Sequence, residues 1–384
     1  MVRRLLAFMA VVVALLAPAA EAAHPHGGLA ASAAFDARGR LWTAYRDQGR
    51  VVVRHSTDLG RSWSAPRFAS PEGEVVAVEG DARPKIAIGP DGRVHVTWTR
   101  PLSRPYTGEI RYSRSVDDGA TFSWAVTVHT DRQEITHRFD ALTVTAEGRV
   151  VVAWIDKRDL EAARARKEAY RGAAVYAATW NDARAGFDHD FKIADYSCEC
   201  CRIALLPRAD GAITALWRHV FEPDIRDHAI ASFTPDGAVG PMRRATFDDW
   251  RIDACPHHGP SLAEDGAGRL HAVWYAQGTR DPGVHYGRLV EGAVVAERRI
   301  GGEAAAHADV AVSGPSVFVV WKEFDGERTR LRTMLSRDGG DTWQEHELAA
   351  TEGASDQPRA LVRDGRFHAF WNTREHPLGV WSLP

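Results

Sequence analysis

Four cysteines and several histidines fall at one register of an internal repeat, and thiolate with imidazole is a donor set for copper or zinc. Cys198 lies 19 residues before Trp217, and Cys255 lies 19 before Trp274. Cys200 and His257 share the position 17 before those tryptophans, and Cys201 and His258 the position 16 before. "CECCR" and "CPHH" are therefore the same loop in neighbouring repeats. His137 stands 17 before Trp154, His307 and Asp356 open the two later repeats, and His24 and His26 open the first. The ligands expected of a metal site are Cys200, Cys201, His257 and His258, with Cys198, Cys255, His137 and His307 in reserve. The cysteines have a second reading as two disulfides, Cys198 to Cys255 and a vicinal Cys200 to Cys201 bond. One disulfide beside a metal site satisfies both.

These side chains act together only if the repeat brings their loops together. Each copy has a short apolar strand, a turn containing Gly, a second strand and then an aromatic, as in "ARPKIAIGPDGRVHVTW" ending at Trp98. Further copies end at Trp154, Trp217, Trp274, Trp321 and Trp371, and an N-terminal copy puts Tyr45 at the same place. The intervals are 53, 56, 63, 57, 47 and 50 residues, each about one four-stranded blade. The pattern predicts an all-β propeller of about seven blades, with six as the alternative. The turn inside each hairpin and the turn after the third strand share one face. The residues before each first strand and after each aromatic then share the other, around the channel mouth.

Three copies carry a further signature: Ser56-x-Asp58-x-Gly60-x-x-Trp63, Ser115-x-Asp117-x-Gly119-x-x-Phe122 and Ser336-x-Asp338-x-Gly340-x-x-Trp343. A fourth, around Asp182 and Phe187, has Arg184 where Gly belongs. The pattern resembles the Asp-box, or bacterial neuraminidase repeat, of sialidase-like propellers. Its Asp accepts turn N–H groups, its Gly permits the tight geometry and its aromatic packs between sheets. The resemblance implies a structural role for these twelve residues and covers nearly all of the chain after its first two dozen residues.

The same resemblance raises glycoside hydrolysis, which in sialidases uses an Arg-Ile-Pro segment, three carboxylate-binding arginines, a Tyr and Glu nucleophile pair and an Asp acid. Here Arg83-Pro84 lacks the Ile, and Arg138, Arg202 and Arg359 stand at strand starts. Tyr275 and Glu323 each follow a repeat aromatic, and Asp140 or Asp156 could serve as acid. No family motif joins them, so sialoside cleavage is not expected. A glycoside hydrolase or carbohydrate-binding propeller is the alternative to the metal reading, and a disulfide-stapled scaffold for a protein partner is a third.

Arg3 and Arg4, an apolar run over residues 5–17, and small residues at Ala20 and Ala22 read as a signal peptide over residues 1–22, so a periplasmic or secreted location is expected. Residues 23–384 then form one propeller domain. The run is too short to span a membrane, which needs about 20 apolar residues. With 48 basic against 51 acidic residues, no overall field favours nucleic acid. A nucleotide cofactor is not expected; a metal ion or small ligand at the mouth is. The longest repeat interval contains "DKRDLEAARARKEAYRG", whose Ala, Glu, Arg and Lys predict a short helix on the channel-mouth face.

Overall fold

Short apolar strands alternating with Gly-containing turns build seven antiparallel sheets, seen in a computed structural model that describes residues 29–383 except 253, 255, 279 and 280. The blades span residues 31–68, 85–127, 137–197, 204–244, 261–300, 305–351 and 359–382. Among the described residues the last blade has three strands, and blade 3 adds a short hairpin strand to its four. The first strands touch one another in a closed ring, the last against the first. Asp356 closes that ring by accepting the Ala31 N–H at 2.8 Å, and Asn372 donates to the Leu29 carbonyl at 2.7 Å. The segment expected to be a signal peptide, His24, His26 and Cys255 lie outside the described residues.

The repeat aromatics mark the second strand of each blade. Trp98, Trp154, Trp217, Trp274, Trp321 and Trp371 are all buried. Four of these indole N–H groups meet a carboxylate, Glu74 for Trp98, Asp156 for Trp154, Asp248 for Trp274 and Glu323 for Trp321, at 2.7, 2.8, 3.1 and 2.9 Å, while Trp217 Nε1 has no acceptor among the described residues. Tyr45 keeps the strand position, four residues past the start of its strand, but is only half-buried. The large buried side chain of blade 1 is Trp42, three residues earlier, which points to the opposite end of the sheet.

Trp42 packs against the second Ser-x-Asp-x-Gly turn. A Cβ on Gly119 would lie 2.6 Å from the Trp42 ring, and one on Gly340 would meet the Tyr286 hydroxyl at 2.1 Å. Gly60 meets Val380 at 3.1 Å. Each box glycine therefore lets its turn close onto the preceding blade. The hydrogen bonds repeat in all three turns: the Ser hydroxyl donates to the Asp carboxylate at 2.7 or 2.8 Å and accepts the Gly N–H at 2.8 or 2.9 Å. Ser62, Thr121 and Thr342 each give the same Asp an N–H and a hydroxyl. These bonds, led by the Ser62 and Thr121 hydroxyls, pull Asp58 and Asp117 down to about 2. Trp63, Phe122 and Trp343 are half-buried beside the turns. The fourth copy is not built this way: Asp182 instead accepts the Trp180 indole at 2.8 Å, in a hairpin where Ala185 takes the positive φ.

The predicted helix is present over Arg158–Arg166. Leu160 and Ala163 bury one side of it, and Asp159 accepts the Tyr176 hydroxyl at 2.8 Å, which fastens the excursion to its own blade.

Gly119 has φ +80° as well as the 2.6 Å constraint. Gly119→Ala is expected to destabilise the fold by about 2 kcal/mol or more, by adding left-handed strain to overpacking. Urea unfolding measures it; a change within about 0.5 kcal/mol would show that the turn does not brace the adjacent blade.

Candidate functional site

The strand-start loops of blades 4 and 5 lie against each other, as their shared register predicts. A Cβ on Gly259 would sit 2.1 Å from Arg202 Cγ, and Arg202 Nε donates to the Pro260 carbonyl at 2.9 Å. Because strands alternate in direction, these loops lie on the face opposite the Ser-x-Asp-x-Gly turns.

Three sulfurs meet in the blade 4 loop. Cys198 Sγ is 3.8 Å from Cys200 Sγ and 4.0 Å from Cys201 Sγ, and all three lie within 4.8 Å of one another. The residues are 1 %, 3 % and 2 % exposed, in the apolar cluster that holds Phe139, Ile203 and Trp217. The loop is fixed by the Cys198 N–H donating to the Arg218 carbonyl at 2.9 Å, by a Lys157 to Glu199 ion pair, and by the Arg202 N–H donating to Asp81 at 3.2 Å. Thiol donation from Cys200 and Cys201, with Arg218 and Arg226 nearby, holds Cys198 well below the usual thiol range against the effect of burial. Cys201, the donor to that thiolate, is pushed up. Arg226 Nη1 stands 3.7 Å from Cys198 Sγ.

The three described cysteines form no disulfide with one another. The vicinal Cys200 to Cys201 disulfide is therefore not formed. Adjacent Cα atoms are about 3.8 Å apart, shorter than the separation a disulfide ordinarily spans. The proposed Cys198 to Cys255 bond involves a residue outside the described set. Among the described residues, no histidine nitrogen joins the sulfur group within 4.8 Å.

The expected histidine ligands are used elsewhere. His258 stacks on His307, with centroids 4.2 Å apart and planes at 6°, and on Tyr275 at 4.1 Å. His257 is exposed, with its ring 6.2 Å from Phe139. His137 stacks on His129 at 3.8 Å, faces the Gly108 carbonyl at 3.2 Å through Nδ1, and has Nε2 3.3 Å from Asp131. Phe139, His257 and His307 all hold left-handed φ values, 55°, 54° and 56°. Bulky residues rarely adopt that backbone, and such strain gathers at functional sites.

The four arginines are already bound within the protein. Arg83 pairs with Asp356 at 2.8 Å and donates to the Gly80 and Ala31 carbonyls. Arg202 crosses the axis: besides Pro260 it donates to the Ala308 carbonyl at 2.7 Å and to Gln357 at 3.4 Å, and Nη1 is 3.7 Å from Asp81. Arg138 pairs with Glu79 at 2.7 Å and Arg359 with Asp309 at 3.3 Å. Glu323 is held by Trp321 and by the Gly302 N–H at 2.9 Å, and the Tyr275 hydroxyl accepts from Gln277 at 2.5 Å. Asp140 accepts from Thr97 at 2.5 Å, and Asp156 pairs with Arg158 at 2.7 Å. Among the described residues these four arginines do not form a pre-formed three-arginine clamp.

Arg218 and Lys322, not singled out from the sequence, complete the mouth beside Tyr275. Arg218, Tyr275 and Lys322 each immediately follow a repeat tryptophan. Arg218 is 1 % exposed and donates to the Arg226, His258 and Tyr275 carbonyls at 2.9, 3.0 and 2.7 Å. The signal for it was present: the position after each aromatic points to the mouth, and a charged residue there stands out from Thr99 and Ile155 in the same register. A second donor group, Asp248, His285 and Glu297, gathers around the Trp274 indole, on which His285 stacks at 5.5 Å.

No family model and no curated protein matches the chain. Solved structures match its fold. Polysaccharide lyase Uly1 aligns with TM-score 0.54 at 10 % identity, over 92 % of this chain and 89 % of that one. A PL25 ulvan lyase bound to -[GlcA(1-4)Rha3S]- aligns with TM-score 0.51 at 10 % identity, over 94 % and 91 %. The α-L-arabinofuranosidase Arb93A from Fusarium graminearum aligns with TM-score 0.51 at 13 % identity, over 77 % and 88 %. At these identities the likeness speaks for the seven-bladed fold alone.

Replacing Arg202 by Met should destabilise the protein by about 3 kcal/mol, since Asp81 loses a buried partner and the Pro260 and Ala308 carbonyls lose donors. Denaturant unfolding reads this; a loss under about 1 kcal/mol would show that the axis does not depend on it.

Proposed function

We propose that the chain is an exported propeller that holds one copper or zinc ion on Cys198, Cys200 and Cys201. The observation that carries this is the sulfur spacing of 3.8 and 4.0 Å. Sulfurs about 2.3 Å from one ion lie roughly 3.8–4.0 Å apart, so little movement is needed for the three to close on it. Three clustered sulfurs that are not bridged to one another suit an ion, and the cationic Arg218 and Arg226 favour the thiolate form of Cys198 that binds metal. The signal-like N-terminus supports export, where copper and zinc are both met. The three matching turns support kinship with Asp-box propellers. Protein purified without an affinity tag should carry about one ion by elemental analysis, and joint replacement of Cys198, Cys200 and Cys201 by Ser should remove it. An ion-free, folded wild-type protein that also fails to take up copper(I) or zinc would refute the proposal.

A second reading is action on a carbohydrate. It is favoured by the ring wall of Tyr275, His258 and His307 at the channel mouth, since flat rings stack on sugar faces, and by the carbohydrate-acting proteins that share the fold. Incubation with uronate-bearing and arabinose-bearing polysaccharides should then yield new reducing ends, lost on Tyr275→Ala. No product from either class would exclude this reading while leaving the metal proposal standing.

A further inference from the structure

The axis of the ring holds more positive than negative side chains. Arg83, Lys85, Arg202, Lys322 and Arg359 reach it from blades 2, 4, 6 and 7, and Asp81, Asp140, Asp309 and Asp356 are the carboxylates among them. The three arginines have carboxylates at 2.8, 3.7 and 3.3 Å. Lys85 donates to the Asp81 carbonyl at 2.6 Å, and Asp140 and Asp81 are the anions that favour its charge, though burial pushes it down to about 7. Lys322 Nζ donates to the Ser355 carbonyl at 3.3 Å, and burial, with Arg83, opposes its charge while Asp356 favours it. Lys322 pairs with Ala306 across the strands, beside the bulge that carries His307.

Next to this ammonium stands the stacked pair His258 and His307. Both Nδ1 atoms are buried without a hydrogen-bond partner. Lys322, Arg202 and Arg83 surround His307, and Arg218, Arg202, Lys322 and Asp81 surround His258, so the charges facing the pair are mostly positive. A buried ammonium, two orphaned ring nitrogens and a stacked Tyr275 converge from blades 5 and 6. Burying such polar atoms unpaired costs stability unless something occupies them.

We infer that Lys322, His258 and His307 form a binding site for an oxyanion, a carboxylate or a sulfate group of a small ligand, at the channel mouth. The anion would neutralise the excess charge and accept from the ammonium and the ring nitrogens, while Tyr275 and His258 offer flat faces to the rest of the ligand. The site is independent of the sulfur cluster, and it deepens the carbohydrate reading only if the anion belongs to a sugar.

The test is calorimetric titration of the full protein with sodium glucuronate, with sodium sulfate and with glucose at matched ionic strength. Glucuronate or sulfate should bind and glucose should not. The anion that binds more tightly assigns the group as carboxylate or sulfate. Lys322→Gln should weaken binding at least tenfold, and Lys322→Arg should restore part of it, each with an unchanged thermal midpoint. His307→Asn, which tolerates the left-handed backbone, should weaken it as well. The inference is overturned if neither anion binds, or if Lys322→Gln binds within twofold of wild type. Anion binding with no product from either uronate-bearing or arabinose-bearing polysaccharides would remove the carbohydrate reading and leave the site intact.

Discussion

Arg202 is the side chain on which the rest of this structure turns. It begins in the blade 4 loop and ends among blades 2, 5, 6 and 7, through Asp81, Pro260, Ala308 and Gln357. A guanidinium out of water must be surrounded by acceptors, and only a ring of strand starts closing on one axis places so many within reach of one residue. The same peptide carries Cys201 immediately before it. The position of the sulfur cluster is thus set by the same contacts that hold the ring together, and Arg83 and Arg359 extend those contacts through Asp356 and Asp309.

The two faces of the propeller are built from different physics. On one, Asp58, Asp117 and Asp338 saturate their own turns with hydrogen bonds, and Gly60, Gly119 and Gly340 let those turns lie against the neighbouring blade. Those turns are self-satisfied. On the other face, Phe139, His257 and His307 are held with positive φ, the His258 and His307 Nδ1 atoms lack partners and three sulfurs cluster without a disulfide among them. Strain, unmet hydrogen bonding and clustered donors together mark that face as the place where a ligand would be met.

The fold was legible because its signal is repeated seven times and local: Trp98, Trp154, Trp217, Trp274, Trp321 and Trp371 each report the same strand position. The adjacency of the Cys198 and His258 loops followed from the same register. Register fixes where a residue's backbone lies but not where its side chain goes, so His258 and His307 were placed in the right region and given the wrong neighbours. They stack on each other and on Tyr275, while the sulfurs turn into the apolar cluster around Phe139. Arg83, Arg202 and Arg359 were at strand starts as expected. Their bonding to Asp356, Asp81 and Asp309 could not be read from a single chain, because each pair joins different blades. Tyr45 shows the limit of counting: it keeps the period, but Trp42 fills the space because Gly119 needs a flat ring beneath it.

Placing an ion on the cysteines accounts for three features together: the clustering of Cys198, Cys200 and Cys201, their lack of bonding to one another, and the nearby Arg218 and Arg226. X-ray absorption at the metal edge, on protein loaded with one equivalent of copper(I) or zinc, tests it most directly. The account predicts a first shell dominated by sulfur at about 2.3 Å, with at least three such neighbours. A shell of nitrogen and oxygen with fewer than two sulfurs would contradict it.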